Sequence, residues 1–208
     1  MCWNAEVSLE SFILGSVALF SLSLTSSISL STIILYSAII CMQLVEYVIW
    51  TYGKNPSINF YTSIVAAGLL FIQPIASILT VSNVSLRNIF LATYIGIGAL
   101  YELITRLTTT DTLCDTYRMY EGAQGHLVWN WLKPSMSTTI GLCMYFFFLL
   151  VPSIISKRWD FLVVALVTLL ISLYGYYKYH TWGSMWCWTV NIIVIIICVK
   201  HILIGVRT

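Results

Sequence analysis

Apolar residues run almost unbroken in stretches of about 20, the length that carries a helix across a hydrocarbon core of about 30 Å. Seven stretches qualify, at roughly 10–27, 30–51, 60–81, 88–105, 137–155, 160–177 and 183–205. Short polar or turn-forming clusters separate them, such as Thr25-Ser26-Ser27, Gly53-Lys54-Asn55-Pro56-Ser57, Ser82-Asn83, Lys157-Arg158 and Tyr179-His180-Thr181-Trp182. The pattern predicts an all-α integral membrane protein, a single bundle of seven transmembrane helices over 1–208. Only the connection 106–136 is long, and it gathers Arg106, Asp111, Asp115, Arg118, Glu121, His126 and Lys133. Its later part, 122–134, is amphiphilic and is expected to lie flat at the membrane interface. The segment before the first apolar run is acidic (Glu6, Glu10) and no small-residue cleavage site follows the run, so a retained helix is expected rather than a signal peptide.

Composition agrees with the pattern. The chain is 59% hydrophobic and 9% charged, with a mean hydropathy of +0.89, whereas a soluble domain carries about 25% charged residues. Abundant apolar surface also excludes disorder. Ten basic and eight acidic residues give a net charge of +2, without the clustered cations that nucleic acid requires. The implied partner is the lipid bilayer, with an ion or small molecule as a further candidate and no cofactor predicted.

With seven spans, the N-terminus, the 52–59 loop, the long connection and the 178–182 loop share one face, designated face A. Lys and Arg divide five to five between the faces: Lys54, Arg106, Arg118, Lys133 and Lys178 on face A against Arg87, Lys157, Arg158, Lys200 and Arg207 on face B. Face A offsets its cations with Glu6, Glu10, Asp111, Asp115 and Glu121, and face B has only Asp160. The positive-inside tendency thus leans towards an exoplasmic N-terminus and a cytosolic C-terminus. Trp3, Trp50, Trp129, Trp131, Trp182, Trp186 and Trp188 fall on or near face A, as either an outward aromatic belt or an aromatic-lined mouth.

Polar residues inside the spans narrow the search. An ionisable group in hydrocarbon costs several kcal/mol, so polar stripes are expected to face the bundle interior. Span two carries Gln43, Glu46 and Trp50, span three Gln73 beside Pro74, span four Glu102 followed by Arg106, and span seven Ser184 and Asn191. With His126 from the connection, these nine residues are the candidates for a polar pocket opening towards face A. Glu102 and Arg106 stand four apart in the favourable order for a helical ion pair, which could account for them without a pocket.

Glu46, Glu102, His126 and His180 could converge on a metal, although no His-x-x-x-His, His-Glu-x-x-His or Cys-x-x-Cys spacing is present. Cys2, Cys114 and Cys187 share face A and leave open one disulfide among the three. Catalytic triads and phosphate loops are absent, so no catalytic residue is assigned and an enzyme is the least supported class.

Several stretches carry a family likeness: Met1-Cys2-Trp3-Asn4-Ala5-Glu6-Val7-Ser8, the run from Met42 to Trp50, Gln73-Pro74-Ile75-Ala76-Ser77, the run from Gly125 to Trp131, and the run from Gly183 to Asn191. They resemble, in order and over nearly the whole chain, an uncharacterised family of multi-pass membrane proteins encoded by giant DNA viruses and some protists. The resemblance implies a viral or host membrane and brings no activity with it. The seven-helix hydrolases of the ceramidase and progestin-receptor type need a Ser one turn before a His and a His pair one turn apart, and neither is found. Three functions follow from these readings: binding or transport of an ion or small molecule, a structural or assembly role in a viral or host membrane, and a membrane-embedded metal-dependent hydrolase.

Overall fold

The computed structural model describes residues 4–25, 28–108, 112–122, 124–133 and 135–204. Seven long helices carry the chain: α1 (Ala5–Thr25), α2 (Leu30–Tyr52), α3 (Pro56–Ile78), α4 (Val84–Thr108), α6 (Met136–Ile155), α7 (Trp159–Tyr176) and α8 (Trp182–Ile204). All seven are long and apolar enough to cross a membrane, so this is an all-α, seven-helix bundle of the polytopic membrane class.

Capping chemistry explains where the helices begin. Asn4 accepts from Val7 N–H at 2.9 Å, so α1 starts five residues before the apolar run expected from 10. Ser29 caps α2 and Asn55 caps α3, with Pro56 in the first helical position, where its missing N–H is harmless. Asn83 and Ser135 do the same for α4 and α6. The α7–α8 connection turns tightly through a 3-10 segment, Tyr177–Tyr179, and His180 with φ of 57°.

Helix α2 is the axis of the assembly, packed against α1, α3 and α8; α3 also packs on α6, and α7 on α8. More than half of α2 and α8 lies inside the bundle, but almost none of α4 does. A main core forms around Leu22, Leu35, Ile40, Leu149, Trp186 and Val194. At Gly15 a Cβ would stand 3.0 Å from both Asn191 Oδ1 and Ile40 Cγ1, so glycine lets α1 press against α2 and α8 together. Helix α4 rests on its neighbours through rings: Tyr94 stacks on Phe71 of α3 at 5.1 Å and meets Phe148 of α6 at the same distance.

Within the connection 106–136, the part from 122 expected to lie flat contributes instead to a hairpin. A one-turn helix α5 (Leu113–Thr116) leads into a hairpin of β1 (Met119–Glu121) and β2 (Leu127–Trp129), in the register Met119↔Trp129, Tyr120↔Val128 and Glu121↔Leu127. Gly125, at φ of 69°, supplies the left-handed turn residue, which glycine adopts without a Cβ clash. The hairpin is driven inward because Met119, Leu127, Val128 and Trp129 are buried. Met119 and Leu127 join Met42, Val45 and Ile49 of α2 and Ala66 of α3 in a second core. Asn59, in the first turn of α3, fastens it. Its Oδ1 accepts from Met119 N–H at 3.0 Å, while its Nδ2 donates to Met119 O at 2.8 Å and to Gly53 O at 3.0 Å.

Candidate functional site

The intramembrane polar residues do face inward, as their cost in lipid requires, but they form a packed layer. Gln43 and Glu46 are completely buried on α2, with Gln43 Nε2 donating to Glu46 Oε2 at 3.2 Å. Asn191 of α8 donates to Ser11 O of α1 at 3.1 Å, and Ser184 is buried on the same helix. Gln73 accepts from Tyr145 of α6. Nearer face B, Ser77 donates to Leu149 O at 2.6 Å and Thr80 meets Ser156 at 3.1 Å. All of these but the Gln43–Glu46 bond, which lies within α2, tie one helix to another. The void beside Gln73 and Cys187 measures about 10 Å³, barely the space of one water. Gln73 is the one of the four candidates Gln43, Glu46, Gln73 and Asn191 that borders this void, and Gln43 Oε1 and Asn191 Oδ1 stay buried without a hydrogen-bond partner among the described residues.

The open space lies elsewhere, on the face A side between α3, α4, α6 and α8, and has a volume of about 540 Å³. Its deep wall is aromatic, with Phe71, Tyr94, Tyr145, Phe146 and Trp186 reaching about mid-span. The hairpin and its sequel, Trp129, Asn130, Trp131 and Lys133, form the outer wall. Space exists here because α4 stands off the bundle; Tyr101 fills the remaining approach, its hydroxyl 3.1 Å from where a Cβ at Gly141 would sit.

Of the nine pocket candidates, Glu102 and Arg106 line this cavity and the other seven do not. The expected ion pair forms, with Arg106 Nε and Nη2 both 2.7 Å from Glu102 Oε1. Arg106 also lies over the Tyr117 ring at 5.4 Å. Burial raises the Tyr117 phenol above its ordinary 10.0, with the Glu102 carboxylate adding to the effect and Arg106 opposing it. The pair is 27% and 48% exposed, and exposed pairs contribute at most about 1 kcal/mol. The fold therefore depends little on it, and both groups remain available to a ligand. Tyr101, Tyr117, Asn130 and Lys133 complete the polar end, and helical periodicity gave no sign of the three that come from the connection.

The remaining candidates separate. Glu46, Glu102, His126 and His180 do not gather: among the described residues no three His, Cys, Asp or Glu side chains form a metal-binding group. His126 packs edge-on to Tyr176 at 5.6 Å, and His180 occupies the exposed α7–α8 turn. Cys114 and Cys187 are free thiols, one exposed and one buried, and Cys2 lies outside the described residues. The tryptophans decide against an outward belt. Trp129, Trp182 and Trp186 are buried, and Trp50, Trp131 and Trp188 pack on the second core. Trp186 donates to Thr168 Oγ1 of α7 at 3.2 Å. Trp3 lies outside the described residues.

Fold and cavity together define a polytopic membrane protein with a large aromatic recess at one end of its bundle. Comparison with models of protein families, with curated proteins and with solved structures yields no match.

Proposed function

We propose that this chain is a membrane-embedded binding protein whose cavity holds a small amphiphilic molecule. The observation that carries the reading is the cavity: at about 540 Å³ it falls within the range of about 300–1,000 Å³ typical of ligand sites. Its aromatic wall lies at the depth of the spans and its polar groups collect at face A, the distribution that suits a molecule with one apolar and one polar end. On the orientation that the loop charges favour, the polar end meets the exoplasmic side of a viral or host membrane. Binding rather than passage is favoured because the lining reaches from face A to Tyr94 and Phe146, near the middle of their helices, and to Phe71 of α3, and includes no residue from the face B turn of any helix.

The test is to purify the protein in a mild detergent, extract it and identify the retained small molecules by mass spectrometry, alongside Ala67→Trp, which places an indole in the cavity wall. Wild type is expected to retain an amphiphile that Ala67→Trp loses. Identical extracts from two equally folded proteins would remove the reading.

A further inference from the structure

The polar end of the cavity has a sign. Its charged lining groups are Arg106, Lys133 and Glu102, two cations against one anion. Two long helices also begin there. Ser135, Ser137 and Thr138 at the start of α6, and Trp182 and Gly183 at the start of α8, all line the space. Helix N-termini present N–H groups and a positive partial charge, although at α6 Ser135 Oγ already accepts from Thr138 N–H at 3.0 Å. The α8 terminus lacks its ordinary cap, since Thr181 Oγ1 is buried with no hydrogen-bond partner among the described residues. The α4 terminus, which would bring negative partial charge, carries Arg106 in its last turn.

A further donor belongs to the wall itself. Trp129 is 2% exposed and lines the cavity, yet its indole Nε1–H has no acceptor among the described residues. A buried donor without a partner costs about 1–3 kcal/mol; this nitrogen is covered from the cavity space, so a ligand acceptor would reach it only once the Trp129 side chain turns.

We infer that this end of the cavity is an anion site that takes a phosphate-type group, and that the aromatic wall receives the chain of a lipid bearing it. The inference rests on the binding reading above and adds the chemistry of the head. Arg106 supplies a planar guanidinium suited to two phosphate oxygens. Lys133, held 5.4 Å from the Tyr120 ring, supplies a second charge at the rim. Glu102 competes for Arg106, so it tunes the site downward.

The inference is tested on purified full-length protein offered equal amounts of phosphatidylglycerol, phosphatidylcholine and diacylglycerol, with retained lipid counted by native mass spectrometry. A second arm titrates inorganic phosphate alone against tryptophan fluorescence. Each cation near an anionic lipid contributes about fivefold in affinity. Wild type should therefore prefer phosphatidylglycerol, Lys133→Gln and Arg106→Gln should each lower that preference about fivefold, and Glu102→Gln should raise it by a similar factor. The rise with Glu102→Gln is the discriminating result, because a damaged fold would not produce it. A saturable phosphate signal that weakens in Arg106→Gln, without lipid retention, would also support the anion site and identify a soluble source. Equal retention of the three lipids by wild type and all charge variants, with loss only in Ala67→Trp, would overturn the anion site and leave the binding reading standing. Retention unaffected by Ala67→Trp would overturn both.

Discussion

The amide of Asn59 ties the hairpin to the first turn of α3, and Asn59→Ala measures how much that tie adds to the apolar burial of the strands. Truncation removes the partners of Met119 N–H and Met119 C=O, at a strand residue that is 1% exposed. Each buried orphan costs about 1–3 kcal/mol. The third bond, to Gly53 O at the end of α2, counts for less because water can replace it. A total of about 3 kcal/mol is expected, which at tenfold per 1.4 kcal/mol raises hairpin opening about 100-fold. Hydrogen–deuterium exchange of the 119–129 amides in detergent reads this directly, because exchange there follows local opening. The apolar contacts of Leu127 and Trp129 with α2, α3 and α8 remain, so exchange in the helices should change little. Asn59→Asp separates hydrogen bonding from volume: it keeps the acceptor for Met119 N–H but turns a carboxylate towards two carbonyl oxygens, and should loosen the hairpin at least as much. If the 119–129 amides in Asn59→Ala exchange within about threefold of wild type, the amide clamp is not what seats the hairpin.

Two further outcomes follow from the packing. Gly15→Leu should destabilise the bundle by about 1–3 kcal/mol through overpacking, because even a Cβ there stands 3.0 Å from Asn191 and Ile40. Gly96→Ala should leave stability unchanged or gain up to about 1 kcal/mol of helix propensity, since nothing lies within 4 Å of the added Cβ; tryptophan-monitored melting in detergent compares the two. Glu46→Ala strips the acceptor from Gln43 Nε2 in a completely buried site and should lower stability by about 2 kcal/mol or more. It should leave lipid retention unchanged, because Glu46 does not line the cavity; selective loss of retention in a folded Glu46→Ala protein would return Glu46 to the binding site.

Much of the architecture was legible in the sequence because a bilayer enforces it. Seven apolar runs became seven helices, and capping side chains such as Asn4, Asn55 and Asn83 moved the starts of α1, α3 and α4 earlier by about a turn, while α3 ends three residues earlier and α4 three residues later than the apolar pattern suggests. The inward turn of Gln43, Glu46 and Asn191 was legible for the same reason: a polar side chain in hydrocarbon must find the interior. The Glu102–Arg106 pair could be read from a spacing of four.

Tertiary structure alone decided which interior surfaces close and which stay open. Periodicity placed Gln43 and Glu102 equally on inward stripes. The first is buried because α1, α3 and α8 all pack on α2, with Gly15 permitting the approach of α1. The second faces open space because α4 stands away from the bundle. Nor could the sequence show that residues 119–132 fold back as a hairpin, since a strand of three residues has too little periodicity to register and its place depends on Asn59, 60 positions earlier. That hairpin brings Trp129, Asn130 and Lys133 to Arg106 and to the first turns of α6 and α8. Hydropathy determines that a segment is inside; only the packing of one helix against another determines whether the inside is full.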